Sequence, residues 1–201
     1  MNITREMRKS KKVIAVIPAK GHSNRLKNKN ISDFMGKPML SWAIKACQDS
    51  EYDIEPWVSS DSPKVLWIAE KYGAHCFVRK AELACDKVPK QDVIKDVARR
   101  IVADGDTPDA FISLQPNSPG VQSSDLDAGL DELFFSVKGE VMYEIFSVDS
   151  NLHMNAVYRM FRPHYLNHNG WSIHAGVVIC ERDDIHTAED VEMAERQIKG
   201  A

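Results

Sequence analysis

The chain has 201 residues, 43% hydrophobic and 27% charged, with a formal net charge of −3. This is enough length for one domain with a sizeable core, an ordinary globular composition, and no overall positive charge to drive sequence-independent nucleic-acid binding. No apolar run approaches the ~18 residues of a transmembrane span, and the basic start leads only into the short run Val13–Ile17, which Pro18 closes, so the protein is expected in the cytoplasm with neither membrane nor nucleic acid as partner.

Arg5, Arg8, Lys9, Lys11 and Lys12 crowd the N-terminus and read as a solvated, frayed tail. Val13–Ile17 is continuous and β-branched, the pattern of a parallel strand buried on both faces. Ala19–Phe34 loses all periodicity and reads as a long basic loop. Pro38 opens an amphipathic stretch through Cys47, with Pro at a first helical position and Met39, Leu40, Trp42, Ala43 and Ala46 as its apolar set. Ile54–Val58 is a second strand. The run from Ser60 to Pro63 starts a helix, Lys64–Tyr72, that Gly73 stops, and Asp61 is read as part of that helix cap. His75–Val78 is a third strand, Gln91–Ala103 a helix, Ala110–Leu114 a fourth strand, and Ser123 or Ser124 caps a helix to about Phe135. Val141–Val148, Ala156–Phe161 and Ile173–Cys180 read as strands, with a His- and Asn-rich loop, Arg162–Gly170, among them. Thr187 and Asp190 form a capping-box pattern for a last helix ending near Gly200.

The alternation predicts an α/β fold, a doubly wound and mostly parallel sheet in a single domain over 1–201. The region 139–172 interrupts it and reads as a small β excursion, a lid or a dimerisation surface. Cys47, Cys76, Cys85 and Cys180 form no C-x-x-C pair and read as core residues in a reducing compartment, and Trp42 and Trp67 as core aromatics. His164, His168 and His174 fit no familiar zinc spacing.

Ligands of such sheets sit beyond the carboxyl ends of the strands. That singles out the loops 18–30, 59–62 and 115–119, and the segment entering the last helix. The first reads P-A-K-G-H-S-N-R-L-K-N-K-N. Gly21 lets the backbone turn and approach a ligand closely, and Lys20, Arg25, Lys27 and Lys29 supply cations for a triphosphate. The pattern is neither G-x-x-x-x-G-K-[ST] nor G-x-G-x-x-G. On charge spacing alone, a phosphate cradle and a basic surface loop fit equally well.

The stretch A-V-I-P-A-K-G-H-S-N-R-L-K-N-K-N resembles the N-terminal signature of acylneuraminate cytidylyltransferases (CMP-N-acetylneuraminate synthetases). Further blocks resemble that family in its order: G-K-P-M-L-S-W-A-I-K-A, V-S-S-D, R-K-A-E-L-A-C-D, L-Q-P-N-S-P and D-I-H-T-A-E-D. The resemblance implies a Rossmann-like nucleotidyltransferase fold, a homodimer, and transfer of CMP from CTP to an acidic sugar with Mg²⁺ and release of pyrophosphate. It implies a catalytic set of Lys20, Lys29 and Gln115. Ala19, Lys20, Arg25, Lys29, Asn30, Arg79, Cys85 and Gln115 would bind the nucleotide, and Asp184 and His186 the metal. Trp171 is a candidate wall of the sugar pocket. The chain departs from the family where Lys20 replaces an Arg, Asn24 a Lys, His22 a Gly, and His186 a carboxylate. Imidazole suits Mg²⁺ poorly, so the metal site is weakened, or Asp183 or Glu181 substitutes. Two alternatives remain: a nucleotide-binding relative with weakened catalysis, and a cytidylyltransferase for another acidic acceptor.

Overall fold

The computed structural model describes residues 3–23, 26–85, 87–136, 139, 141–168, 170 and 172–200, the last four by backbone alone. Arg25 and Trp171 therefore lie outside the described residues.

The chain opens on a short helix, α1 (Arg5–Lys9), capped by the Thr4 hydroxyl. The basic N-terminus is docked and not frayed. Arg8 donates to Asp131 (Nε–Oδ1 2.9 Å) and pairs with Glu51, and Lys9 donates to the Tyr52 carbonyl (2.7 Å). Lys12 pairs with Asp106 (2.9 Å) and Glu55 (3.2 Å). A like-charge run looked free because its counter-charges come from distant helices and strands.

Strand β1 (Lys12–Pro18) follows, with Val13–Ile17 fully buried. A hairpin of β2 (Asp33–Phe34) and β3 (Lys37–Pro38) comes next, turning at Met35 and Gly36, both at positive φ. Pro38 therefore ends a hairpin and does not start a helix; α2 (Leu40–Gln48) begins two residues later. Then come β4 (Asp53–Ser60), α3 (Pro63–Lys71), β5 (His75–Val78), α4 (Lys90–Ala103), β6 (Ala110–Leu114) and α5 (Ser123–Phe135). The cap of α5 is Gln122, boxed with Asp125, and neither serine. The rest is β7 (Glu144–Val148), β8 (Met154–Phe161), β9 (Ala175–Ile179) and α6 (Ala188–Gly200).

Seven strands of the described residues form one sheet in the order β5-β4-β1-β6-β8-β7-β9, parallel except for β8. The region 139–172 thus supplies β7 and the antiparallel β8 to the main sheet. Alternation along β1 sorts the core into two layers. Val13, Ala15 and Ile17 face Leu40, Ile44, Val65, Leu126 and Leu130 of α2, α3 and α5. Ile14 and Val16 face Ile94, Val97 and Ile101 of α4, with Tyr165 and Leu166 beside them. A third cluster of Phe34, Met39 and Ile185 seats α6 beside the hairpin.

Two assignments to the core are corrected. Cys76 and Cys85 are exposed, whereas Cys47 and Cys180 are buried. Trp67 is 56% exposed, on the outer face of α3, where Lys71 Nζ lies 3.6 Å from its ring centroid. With one layer of helix over the sheet, only Val65 and Ala69 of α3 are fully inside.

β1 hands the chain to β4 on one side, and β6 returns on its other side. The order of strands reverses there, so a crevice opens between the carboxyl ends of β1 and β6.

Candidate functional site

A cleft of about 370 Å³ occupies that crevice. Lys20, Lys29, Asn30, Arg79, Gln115 and His186 all line it, drawn from four separate segments. His22, Ser23 and Asn117, from loops that the sequence singles out as a whole, line it too, and so does Lys90, which lies in none of them.

The loop after β1 is built by its backbone. Ala19 N–H donates to the Ser59 carbonyl (2.9 Å), extending the β1–β4 pairing past Pro18. Ala19 is fully buried and is not among the residues that line the cleft. Gly21 N–H donates to Asp61 Oδ1 (2.9 Å). Asn30 is buried and its Nδ2 donates to the Lys20 carbonyl (2.9 Å), closing the loop on itself. Lys20 Nζ reaches the carbonyl of Cys85 (3.3 Å), so Cys85 contributes its main chain while its thiol faces solvent.

Asp61 corrects an expectation. The cap residue of α3, Ser62, makes no side-chain capping bond, and the α3 start relies on Pro63 at its first turn. Asp61 instead braces the cationic loop at Gly21.

Arg79 follows β5 and is 4% exposed. Its Nη2 donates to the Ser59 carbonyl (2.6 Å) and its Nε to Ser59 Oγ (3.3 Å). Burial pulls the guanidinium below its ordinary value, and the nearby Asp61 charge opposes that. Arginine stays charged under such a pull, so Arg79 is a fixed, buried cation at the cleft wall.

Gln115 follows β6 directly, and its N–H bonds the Val157 carbonyl (3.0 Å). Two residues on, buried Asn117 clasps the segment before α6. Its Nδ2 donates to the Ile185 carbonyl (3.1 Å), and Ile185 N–H returns to the Asn117 carbonyl (2.8 Å). This clasp brings His186 to the cleft. The capping box forms as expected: Asp190 N–H donates to Thr187 Oγ1 (3.2 Å), and Asp190 Oδ2 accepts from Thr187 N–H (2.8 Å) and His186 N–H (2.7 Å). Those donors hold the Asp190 carboxyl below the usual carboxylate range.

Asp184 is not among the cleft-lining residues; its Oδ1 accepts a hydrogen bond from Ser118 Oγ. No group of three His, Cys, Asp or Glu that could hold a metal occurs among the described residues. Lys90, the first residue of α4, lies near enough for the Asp184 charge to act on it. It has no motif around it, and the only sequence hint was its position at the start of a helix facing the strand ends. With Lys20, Lys29, Arg79 and Lys90 around one cleft, the arrangement suits a polyanion.

A family described as cytidylyltransferase matches residues 14–169. The chain is 41% identical over 108 residues to the N-acylneuraminate cytidylyltransferase of Escherichia coli, a match covering 54% of this chain and 25% of that protein. It is 29% identical over 164 residues to the pseudaminic acid cytidylyltransferase of Campylobacter jejuni, covering 77% of this chain and 69% of that one. The chain thus spans about a quarter of the length of the first relative. Among solved structures, CMP:2-keto-3-deoxy-manno-octonic acid synthetase complexed with CTP superposes with a TM-score of 0.74 at 16% identity, over 94% of this chain and 99% of that one. That likeness shows a shared fold.

Proposed function

The chain belongs to the cytidylyltransferase family, and from that premise we propose that it transfers CMP from CTP to an acidic sugar of the sialic-acid type in the cytoplasm, releasing pyrophosphate. The observation that carries this reading is the convergence of Lys20, Lys29, Asn30, Arg79 and Gln115, from three segments, on one cleft at the strand ends. The named relatives act on acidic sugars, which supports the acceptor class.

In this reading the sugar's hydroxyl oxygen bonds to the α-phosphorus of CTP. The bond from that phosphorus to the oxygen bridging to the β-phosphate breaks, and pyrophosphate leaves with the electron pair. Little covalent chemistry falls to the protein, so its work is positioning and charge. Lys20 and Lys29 offset the charge of the triphosphate. Asn30 keeps Lys20 in place through the backbone it holds. Arg79, locked against Ser59, gives the base and ribose end a fixed donor. Gln115, directly after β6, orients the nucleotide or the incoming acid.

Magnesium is the proposed cofactor, and when bound it would supply counter-charge to the phosphates. Its fit here is to a phosphate-borne ion, which needs only one or two protein carboxylates. Asp184, near the cleft and bonded to Ser118, is the carboxylate that would hold it after turning toward the phosphates. The described residues do not offer an all-protein cage, and His186 is a poor oxygen-site substitute.

The test is pyrophosphate release from CTP with N-acetylneuraminate and related nonulosonic acids. Release that needs both the acid and magnesium, and that stops on adding EDTA, is the expected result. Saturable CTP uptake without release from any acid would instead mark a relative without turnover, and no CTP uptake would end the reading.

A homodimer is part of the same proposal. The outer edge of the sheet supports it: Ile173 is 95% exposed, and Val177 and Ile179 on β9 leave more than half of their surface open. Among the described residues β9 pairs only with β7, and an apolar edge strand open on its other side is a pairing surface. Light scattering should give twice the chain mass; a monomer at micromolar concentration would refute it.

A further inference from the structure

A second cavity of about 210 Å³ lies beside the nucleotide cleft, walled by Ser113, Phe146, Ser147, Met154 and Arg159 among others. One residue lines both cavities: Lys90. Three features make its position costly in the empty protein. Its ammonium is taken out of water, which pushes it below its ordinary value. It makes no hydrogen bond or ion pair within the described residues; Asp184 acts on it only from a distance. It also stands at the first position of α4, where the helix dipole disfavours a cation. Partly buried charges without partners are costly, and they persist where a ligand completes them.

We propose that Lys90 is a catalytic residue, a cation placed where the two cavities meet to neutralise the α-phosphate as the acceptor attacks it. This rests on the cytidylyltransferase reading. The triphosphate occupies the cleft with Lys20 and Lys29, so the acceptor must reach the α-phosphorus from a side the nucleotide leaves open. The second cavity is that side. The acceptor oxygen forms its bond to phosphorus, pyrophosphate departs with the electrons of the broken P–O bond, and the hydroxyl proton passes to solvent. Negative charge on the non-bridging oxygens of the α-phosphate peaks between the cavities, beside Lys90. The lysine acts as a fixed positive charge and takes no proton in the step.

The test uses the full chain and the variants Lys90→Met and Lys90→Arg, with CTP, magnesium and N-acetylneuraminate as probes. Removing a charge aimed at the transition state should lower kcat by about 100- to 1,000-fold. Binding of CTP, measured by calorimetry, should weaken by less than about tenfold, because Lys20, Lys29 and Arg79 remain. Lys90→Arg keeps the charge and should recover at least about tenfold of the lost rate. Without ligand, Lys90→Met should melt about 2–4 °C higher than the wild type, since an uncompensated charge is gone, and its stabilisation by CTP should be smaller. The melting arm reads the same contact in the absence of turnover. A methionine variant with kcat within about threefold of wild type, or with unchanged melting and an unchanged CTP shift, overturns the proposal. So does an arginine variant as slow as the methionine one. Wild-type protein that takes up no CTP would instead sink the cytidylyltransferase reading, and this assignment with it.

Discussion

Gly21→Ala should weaken CTP binding by at least about 100-fold while leaving the protein folded. A Cβ at residue 21 would sit 2.5 Å from Ser62 Cβ and 3.2 Å from Ser62 Oγ. Rotation cannot relieve the closer contact, because both Cβ positions are set by backbone. The loop after β1 and the start of α3 would have to separate by about 1 Å to restore an ordinary carbon–carbon contact. That separation pulls Gly21 N–H away from Asp61 and carries Lys20 with it. A misplacement of this size in a positioning site costs about two orders of magnitude. Gly21 is not among the residues at positive φ, so space and not backbone freedom is what demands glycine here. The control is Ser62→Gly in the same chain. With that Cβ gone, the nearest atom of residue 62 is Cα at 3.5 Å, an ordinary contact, and most of the affinity should return. Calorimetric titration of both variants decides it: wild-type affinity in Gly21→Ala, or no recovery in the double variant, would show that the close approach of these two segments does not shape the site.

The same pair of segments shows what the sequence could and could not disclose. Local pattern was enough where an element is decided by its own residues. The ends of His75–Val78 and Ala110–Leu114 are as read, because Gly73 and a run of polar residues bound them and β-branched or aromatic residues fill them. The capping box at Thr187 and Asp190 is likewise local. Pro38 misled because the two-strand hairpin from Asp33 to Pro38 closes through Gly36, and a pairing so short leaves almost no periodicity to read. The N-terminal lysines and arginines misled because Asp131 and Asp106, which hold them, lie in other elements.

At the site, the charges of the loop after β1 are adjacent in sequence, yet their spacing fits a basic surface loop as well as a phosphate cradle, and only the resemblance of the surrounding blocks separated the two. Asp61 was not legible, because its partner Gly21 lies 40 residues away and a polar residue before a helix already has a sufficient local explanation. Lys90 was invisible for a related reason: its significance is a half-buried place with no bonding partner among the described residues, and burial is a property of the assembled fold. Asp184 and His186 share a motif in sequence, but the fold sends them apart. His186 goes to the cleft and Asp184 to the Ser118 hydroxyl.

Glu144→Ala should be among the most destabilising single changes in the chain, at about 3–5 kcal/mol and a melting point lower by roughly 10 °C. Glu144 is fully buried on β7. Its Oε1 accepts from Arg159 Nε (2.7 Å) on β8, and its Oε2 accepts from Ser172 N–H (2.6 Å). The Arg159 guanidinium lies 5.3 to 5.9 Å from the rings of Phe146, Phe161 and Tyr165. Removing the carboxylate leaves that cation among aromatic faces with no counter-charge and strands the Ser172 donor as well. Replacing both members with methionine should restore melting to within a few degrees of wild type, since an apolar pair of similar volume is commonly as stable as a buried ion pair. Stability alone therefore does not explain why the chain keeps the pair. Arg159 also lines the second cavity, beside Lys90. If Glu144 serves to hold that guanidinium toward an incoming acid, the double-methionine protein will melt normally and bind CTP normally, yet its KM for N-acetylneuraminate will rise at least about tenfold. An unchanged KM would assign the pair to the sheet alone.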